Sequence, residues 1–229
     1  DPIEKYLPEF GNLRDWAGGT AAEPQTVALD RPLTIRDLGR NTAGFAVGDG
    51  LPEGLKQLSQ EAWAGASWNT NLRGLARIAA KLPLVHQPGA RWRYDIPTNI
   101  QARIVEKVSG QPYDVYLAEH IFKPLGMTST RYVVADGDAD LSKLAATYVR
   151  QPDGQFVRRP DAEAHAFNRK DWAQKPGAFG LVSTLDDYAQ FARMLLNEGV
   201  GPTGARILKP ETVRLMATNV LPDSVTERQ

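Results

Sequence analysis

Between Pro97 and Pro112 the chain spells out one helix together with both of its ends. Ile100, Ile104, Val105 and Val108 recur at three- and four-residue spacing, which places them on one helical face and requires an apolar cover. Pro97 suits a first turn, where its missing N–H would have no intrahelical partner. Gly110 suits a left-handed C-cap, and Pro112 prevents continuation. A second short helix and a Pro-Leu-Gly-Met turn follow. Just upstream, Tyr94 stands on an irregular segment between Trp92 and Pro97, a place to hold one polar group at the edge of a cleft.

Other segments carry similar punctuation. Thr34-Ile35-Arg36-Asp37 reads as a helix start, with Thr34 capping and Asp37 near the exposed N–H groups. The following NTAGFAVGDG, from Asn41, reads as a tight loop whose glycines permit positive backbone angles. Residues 52–65 predict a short helix anchored by Leu55, Leu58 and Trp63. Residues 71–82 predict another, capped by Thr70, with Leu72, Leu75, Ile78, Ala79 and Leu82 inward and Pro83 as the stop. Thr184 opens LDDYAQFARMLLNEG in a capping-box-like pattern with Asp187, with Tyr188, Phe191, Ala192 and Leu195 on the buried face. A last helix starts at Pro210 and turns Val213, Met216 and Ala217 inward. Ala146–Tyr148 and Gln155–Val157 bracket a Pro-Asp-Gly turn and predict a hairpin. Residues 1–33 read as a short turn or helix followed by an extended surface segment. The expected fold class is mainly α, with five or six helices, a small β-hairpin and no large sheet.

The 27 basic residues balance the 27 acidic ones, so the formal net charge is zero. Nothing in that balance points to capture of nucleic acid or of an anionic membrane. The absence of cysteine removes disulfides and thiolate metal sites but is compatible with a cytoplasmic, periplasmic or secreted protein. His86, His120 and His165 are scattered, which argues against a zinc cluster, and no apolar run reaches the length of a membrane span. No G-x-G-x-x-G or Walker sequence calls for a nucleotide, so no cofactor or metal is expected. Asp186-Asp187 reads as helix N-terminal charge rather than as a glycosidase pair.

Tyr94 is the leading chemical residue. A phenol with a reference pKa near 10 moves protons at neutral pH only when cations favour its phenolate or a network relays the proton. Against this stands a packing role, with the ring against Trp92 and the hydroxyl on backbone.

The stretch PLVHQPGARWRYDIPTNIQARIVEKVSGQPYDVYLAEHIFKPLGMTST resembles the middle of serine β-lactamase-like proteins, and most of all the carboxylesterases that share the fold of class C β-lactamases and DD-peptidases. DPIEKYLPEF, LTIRDLGRNTAGF and GAFGLVSTLDDYAQFARMLLNEGVGPTGARILKPETVRLM agree with that family in the same order. The resemblance implies a serine of an S-x-x-K motif, acylated by an ester or amide, with a lysine and a tyrosine helping to move the proton. Tyr94 matches that tyrosine. Asp95 stands where serine or alanine is usual, and Ile96 where class C β-lactamases have asparagine. An apolar Ile96 removes a polar substrate contact and suits an ester pocket, and Trp92, Asp95, Ile96 and Phe179 are candidate substrate contacts. Asn41-Thr42-Ala43-Gly44 matches the family's H-T-S-G or H-T-A-G segment and is expected to be structural beside the cleft. Phe179–Thr184 matches G-G-L-x-S-T, with Ser183 expected as a cap or loop hydroxyl.

The departure from the family is as informative. No serine of this chain has lysine three residues later, and no G-x-S-x-G elbow replaces it. By the family's order, S-x-x-K would lie before Asp1 and the K-T-G, H-x-G or W-x-G motif beyond Gln229, while Lys175-Pro176-Gly177 stands in the wrong place to be K-T-G. Residues 1–229 are therefore expected to be the central, mostly helical part of a β-lactamase-like domain, truncated at both ends and inactive alone. The expected partners are a small ester or β-lactam substrate and the missing portion of the same protein. The expected parent activity is carboxylic-ester hydrolysis. The alternatives are β-lactamase or DD-peptidase activity, acyl transfer, or a non-catalytic binding relative.

Overall fold

The computed structural model describes residues 1–225. Its elements in chain order are the strands Arg14–Gly19 (β1) and Pro24–Ala28 (β2), then the helices Ile35–Arg40 (α1), Glu53–Trp63 (α2), Leu72–Ala79 (α3), Pro97–Ser109 (α4) and Tyr113–Leu117 (α5). A π-helical turn, Ala118–Phe122, leads into Lys123–Leu125 (α6). The strands Tyr148–Arg150 (β3) and Phe156–Arg158 (β4) and the helices Asp161–Ala164 (α7), Leu185–Leu196 (α8) and Pro210–Met216 (α9) complete the series. The architecture is mainly helical, as expected from the sequence, with small antiparallel hairpins as the sheet content among the described residues. The chain divides into two units. One comprises Asp1–Tyr116, Ala173–Ala178 and the described residues from Leu215 onward, and the other Leu117–Trp172 and Phe179–Arg214.

In the first unit, α4 packs against α1 and α3. Ile100 and Ile104 enter a core with Leu38, Phe45, Ala76, Ala79 and Leu84, and the Phe10 and Phe45 rings meet edge to face at 5.9 Å. Pro97 occupies the first turn of α4, and Gly110 takes the left-handed C-cap at φ 72°. The predicted stripe fails at its end, where Val108 is 65% exposed. The 13 residues of α4 outrun the 6 of α1 and the 8 of α3, so its last turn has less to lie against. Thr34 caps α1 in a full capping box with Asp37. Leu55, Leu58 and Trp63 pack as α2's anchors. The cap of α3 is Asn71, whose Oδ1 accepts from the Gly74 N–H at 2.9 Å. Thr70 instead closes the preceding turn, its Oγ1 accepting from the Ser67 N–H at 3.0 Å. The helix also ends at Ala79, a turn before Pro83.

A second hairpin, β1–β2, occupies what the sequence suggested was an extended surface segment. It carries little apolar alternation because its side chains are mostly at the surface. Backbone bonds instead seat it on Leu84, through Trp16 N–H to Leu84 O and Leu84 N–H to Arg14 O, both 2.8 Å.

In the second unit Leu117, Phe122, Leu125, Met127, Tyr132, Val134 and Met194 are buried. The predicted hairpin around Pro152-Asp153-Gly154 forms, but its strands lie two residues and one residue further along the chain than the expected Ala146–Tyr148 and Gln155–Val157, with Tyr148 opposite Arg158. Thr184 caps α8, accepting from Asp187 N–H at 3.2 Å. The buried face of α8 differs from the expected one. Asp187 and Met194 turn inward, and Tyr188 is exposed, because the Asp187 carboxylate is drawn onto the Ser129-Thr130 turn. In α9, Val213 is only half-buried, while Met216 and the adjacent Ala217 are exposed, so neither is the inward anchor the spacing suggested.

Candidate active site

The loop that carries Tyr94 is laced to the Asn41–Phe45 segment. Asn41 tolerates the left-handed conformation at φ 54° and closes α1 with its N–H. Its carbonyl accepts from Arg93 N–H at 2.8 Å. Thr42 O accepts from Gly89 N–H at 2.8 Å, and Gly44 O from Val85 N–H at 2.7 Å. Thr42, Ala43 and Phe45 are fully buried. The N-T-A-G motif is thus a backbone rail beneath the Tyr94 loop, the structural role its sequence suggested.

Arg93 is buried, and its guanidinium donates to the carbonyls of Val47 at 3.0 Å and Asp49 at 2.5 Å. Both carboxylate oxygens of Asp95 are enclosed by protein and lack a hydrogen bond of ordinary geometry. Burial pushes the Asp95 carboxyl up to about 7, against the charge of Arg93 and the backbone N–H groups of Phe45 and Ile96, which favour the anion. With Arg93 and Asp95 directed inward, Tyr94 between them is directed outward and is 69% exposed. Trp92 and Ile96 are half-buried on either side. Four of the candidate residues, Trp92, Tyr94, Asp95 and Ile96, therefore share one braced loop, and Asp95 within it turns its carboxylate oxygens into the protein.

Ile96 opens onto a cavity of about 430 Å³ walled by Trp63, Trp68 and Leu75. Ser67, Asn99 and Gln174 supply its polar rim. The rim is stapled from two sides, by Gln174 N–H to Trp68 O at 3.0 Å and by Gly177 N–H to Asn99 Oδ1 at 2.9 Å. Lys175-Pro176-Gly177, which imitates a catalytic K-T-G on paper, thus contributes a backbone tie. Sequence reading placed Trp63 as an α2 anchor but did not single out Trp68, Asn99 or Gln174. The available signal was two tryptophans five residues apart around Gly65, whereas the burial of Asn99 in the first turn of α4 is visible only in the structure.

Phe179 belongs to the second unit, where its ring lies 5.3 Å from that of Phe167. Asn168 Nδ2 donates to Tyr132 O at 2.9 Å and to Gly180 O at 2.6 Å, fixing the turn that follows Phe179. Ser183 Oγ lies 2.8 Å from Thr130 Oγ1, in the loop-hydroxyl role expected of it. Among the described residues no group of three or more His, Cys, Asp or Glu side chains could hold a metal, and no helix is long and apolar enough to cross a membrane.

The N-T-A-G rail, the braced tyrosine loop and the Gly180–Thr184 turn entering α8 follow one another in the order that the sequence resemblance required. The family model described as Beta-lactamase matches residues 1–228. The chain belongs to the beta-lactamase family. Protein Rv1367c of Mycobacterium tuberculosis is 32% identical over 223 residues, covering 97% of this chain and 53% of that protein. Esterase EstB of Burkholderia gladioli is 27% identical over 205 residues, covering 81% of this chain and 47% of the esterase. The solved structure of simvastatin synthase LovD from Aspergillus terreus superposes with a TM-score of 0.77 at 22% identity, covering 98% of this chain and 53% of LovD. That likeness speaks for the fold. The chain spans about half the length of the curated relatives it matches.

Proposed function

We propose that the protein containing this chain is a serine hydrolase that cleaves carboxylic esters through an acyl-enzyme, with Tyr94 as a proton-relay group. The observation that carries this reading is the outward presentation of Tyr94 two residues before Ile96, which opens an apolar cavity. The similarity to an esterase supports the same reaction class.

In this reading the nucleophilic serine and its lysine lie outside residues 1–229. The serine oxygen attacks the ester carbonyl carbon while its proton passes to the lysine–tyrosine relay. Collapse of the tetrahedral intermediate breaks the bond to the alkoxy group, which takes a proton from the relay and leaves as the alcohol. Water then adds to the acyl-enzyme, gives up a proton by the same route, and releases the carboxylic acid and free serine. The 229-residue chain alone supplies only the tyrosine of that set and has no hydrolytic activity of its own. Ile96 weighs against β-lactam hydrolysis, because an isoleucine offers no amide to hold a polar substrate group.

The test is turnover of p-nitrophenyl esters and of a chromogenic cephalosporin by the full-length protein, with fluorophosphonate labelling of its serine. Ester cleavage is expected to dominate. Tyr94→Phe should lower kcat by about 10²–10⁴-fold, the usual worth of a positioned acid–base group. Cephalosporin cleavage exceeding ester cleavage, or an unimpaired Tyr94→Phe, would overturn the reading.

A further inference from the structure

The cavity beside Ile96 is built from parts far apart in sequence, and among the described residues no charged side chain lines it. Its volume of about 430 Å³ falls within the roughly 300–1,000 Å³ of ordinary small-molecule pockets. The loop that brings Trp68 to its mouth is set in place by its own hydrogen bonds. Besides the Thr70 closure, Thr70 N–H donates to Ser67 O at 2.8 Å and Asn69 N–H to Ser67 Oγ at 3.2 Å. Gln174 N–H then holds the Trp68 carbonyl. Trp68 itself remains 44% exposed, which is unusual for so large an apolar side chain in a braced turn. Trp63 and Leu75 continue the apolar surface inward, and Ile96 joins it to the Tyr94 loop.

We propose that this cavity is a specificity pocket for an uncharged, bulky apolar group of the substrate, cyclic or aromatic, with Trp68 and Trp63 as its walls. As a substrate pocket it rests on the ester-hydrolase reading above; as a binding site for neutral apolar molecules it stands on the cavity alone. An aromatic wall offers a cyclic group a large, rigid contact area. A charged group placed there would lose its hydration without a counter-charge among the lining residues.

The experiment uses the full-length protein, with Trp68→Ala to remove one wall and Ala66→Phe to fill the cavity from its loop. Two readouts are taken: binding of the neutral fluorescent probe N-phenyl-1-naphthylamine, and the ratio of kcat/KM for p-nitrophenyl cyclohexanecarboxylate to that for p-nitrophenyl acetate. Both variants are expected to weaken probe binding and to lower that ratio, each by about tenfold, the range in which apolar pockets discriminate. Probe affinity lost in both variants without any ester turnover would uphold the binding site and reject the hydrolase reading. Ester turnover with probe affinity and ratio unchanged in both variants would overturn the pocket and leave the hydrolase reading intact. Circular dichroism of each variant identifies a misfolded one. Because the two substitutions perturb the loop in opposite senses, loss of folding in one leaves the other to decide.

Discussion

Thr130 and Asp187, 57 residues apart in sequence, are joined by a buried hydrogen bond of 2.8 Å from the threonine hydroxyl to the carboxylate. The same Oδ2 accepts from Ser129 N–H at 2.8 Å, while Thr130 Oγ1 also meets Ser183 Oγ. One carboxylate thereby ties the turn after Met127 to the first turn of α8, where a negative charge is also favoured by the exposed helical N–H groups.

Asp187→Ala should therefore destabilise the protein by about 2–3 kcal/mol, since it strands a buried hydroxyl and a backbone N–H that bond a charged acceptor. Thr184→Ala, which removes the cap of the same helix, should cost only about 1 kcal/mol. Urea unfolding of both variants checks the order. Equal losses would mean that Asp187 acts through the helix start alone.

Arg31 and Asp37 form a second, fork-shaped pair in the first unit, with both nitrogen–oxygen distances at 2.7 Å. Asp37 also accepts from the N–H and hydroxyl of Thr34, at 2.9 and 2.6 Å. Burial alone would raise its pKa, but Arg31 and Thr34 outweigh burial and hold the carboxyl below its ordinary value. A depressed carboxyl stabilises the fold above its unfolded pKa, near 4, and that contribution is lost as the pH falls through the folded value. Arg31→Met should remove about 1–2 kcal/mol at pH 7, a figure kept low because the arginine is partly solvated. Its acid-unfolding midpoint should also move to higher pH than that of the unsubstituted protein. An unchanged midpoint would show that Thr34 alone sustains the ionised form.

How much of this could be read from sequence depended on whether the cause was local. The ends of α4 and the Thr34–Asp37 box are decided by residues within one turn of each other, and both were legible. The β1–β2 hairpin was not, because its side chains are mostly at the surface and its seat is the backbone of Leu84, about 70 residues from the Arg14–Trp16 groups that bond it. Asp187 was recognised as part of a helix start, yet its carboxylate answers to Ser129 and Thr130 rather than to its own backbone. The cavity walls were hidden for the same reason: Trp63, Trp68, Ile96 and Gln174 come together only in three dimensions. Tyr94 was singled out by its flanking residues, whereas the inward turn of Asp95 depends on the Asn41–Phe45 rail.

Gly44 marks the point where that rail passes His86. Its φ is +80°, and a Cβ there would lie 2.8 Å from the His86 carbonyl oxygen and 2.9 Å from the imidazole. His86 is buried, and burial lowers its pKa and favours the neutral ring. Gly48 has nearly the same backbone, φ +87°, with nothing within 4 Å of the added carbon. Gly48→Ala should thus cost about 1 kcal/mol, the backbone penalty alone, and Gly44→Ala about 2–4 kcal/mol because overpacking adds to it. Thermal unfolding of the pair separates the two contributions, and equal shifts would reject a packing role for His86 against the rail.

Asp95 gives the sharpest pH dependence. Its carboxyl is raised from 3.8 to about 7 by burial, so between those values the folded protein binds a proton that the unfolded chain releases. The contribution of Asp95 to stability then falls as the pH rises from about 4 to about 7 and levels off above that, while His86, with its lowered pKa, acts in the opposite sense. Three units at 1.36 kcal/mol each set the size of the decline on the order of 3–4 kcal/mol. Asp95→Asn replaces the protonated acid by a neutral group of the same shape and removes the titration. At pH 5 the variant should match the unsubstituted protein within about 1 kcal/mol, and at pH 8 it should be the more stable by roughly 2–4 kcal/mol. Urea midpoints at the two pH values decide the matter. Parallel curves for the two proteins would show that the Asp95 carboxylate is satisfied as an anion, with Phe45, Ile96 and Arg93 compensating its burial. A gap that widens between about pH 4 and pH 7 and stays constant above would instead establish an uncompensated acid directly beside Tyr94, so that the ionisation of Asp95 and the seating of the tyrosine loop change together near neutral pH.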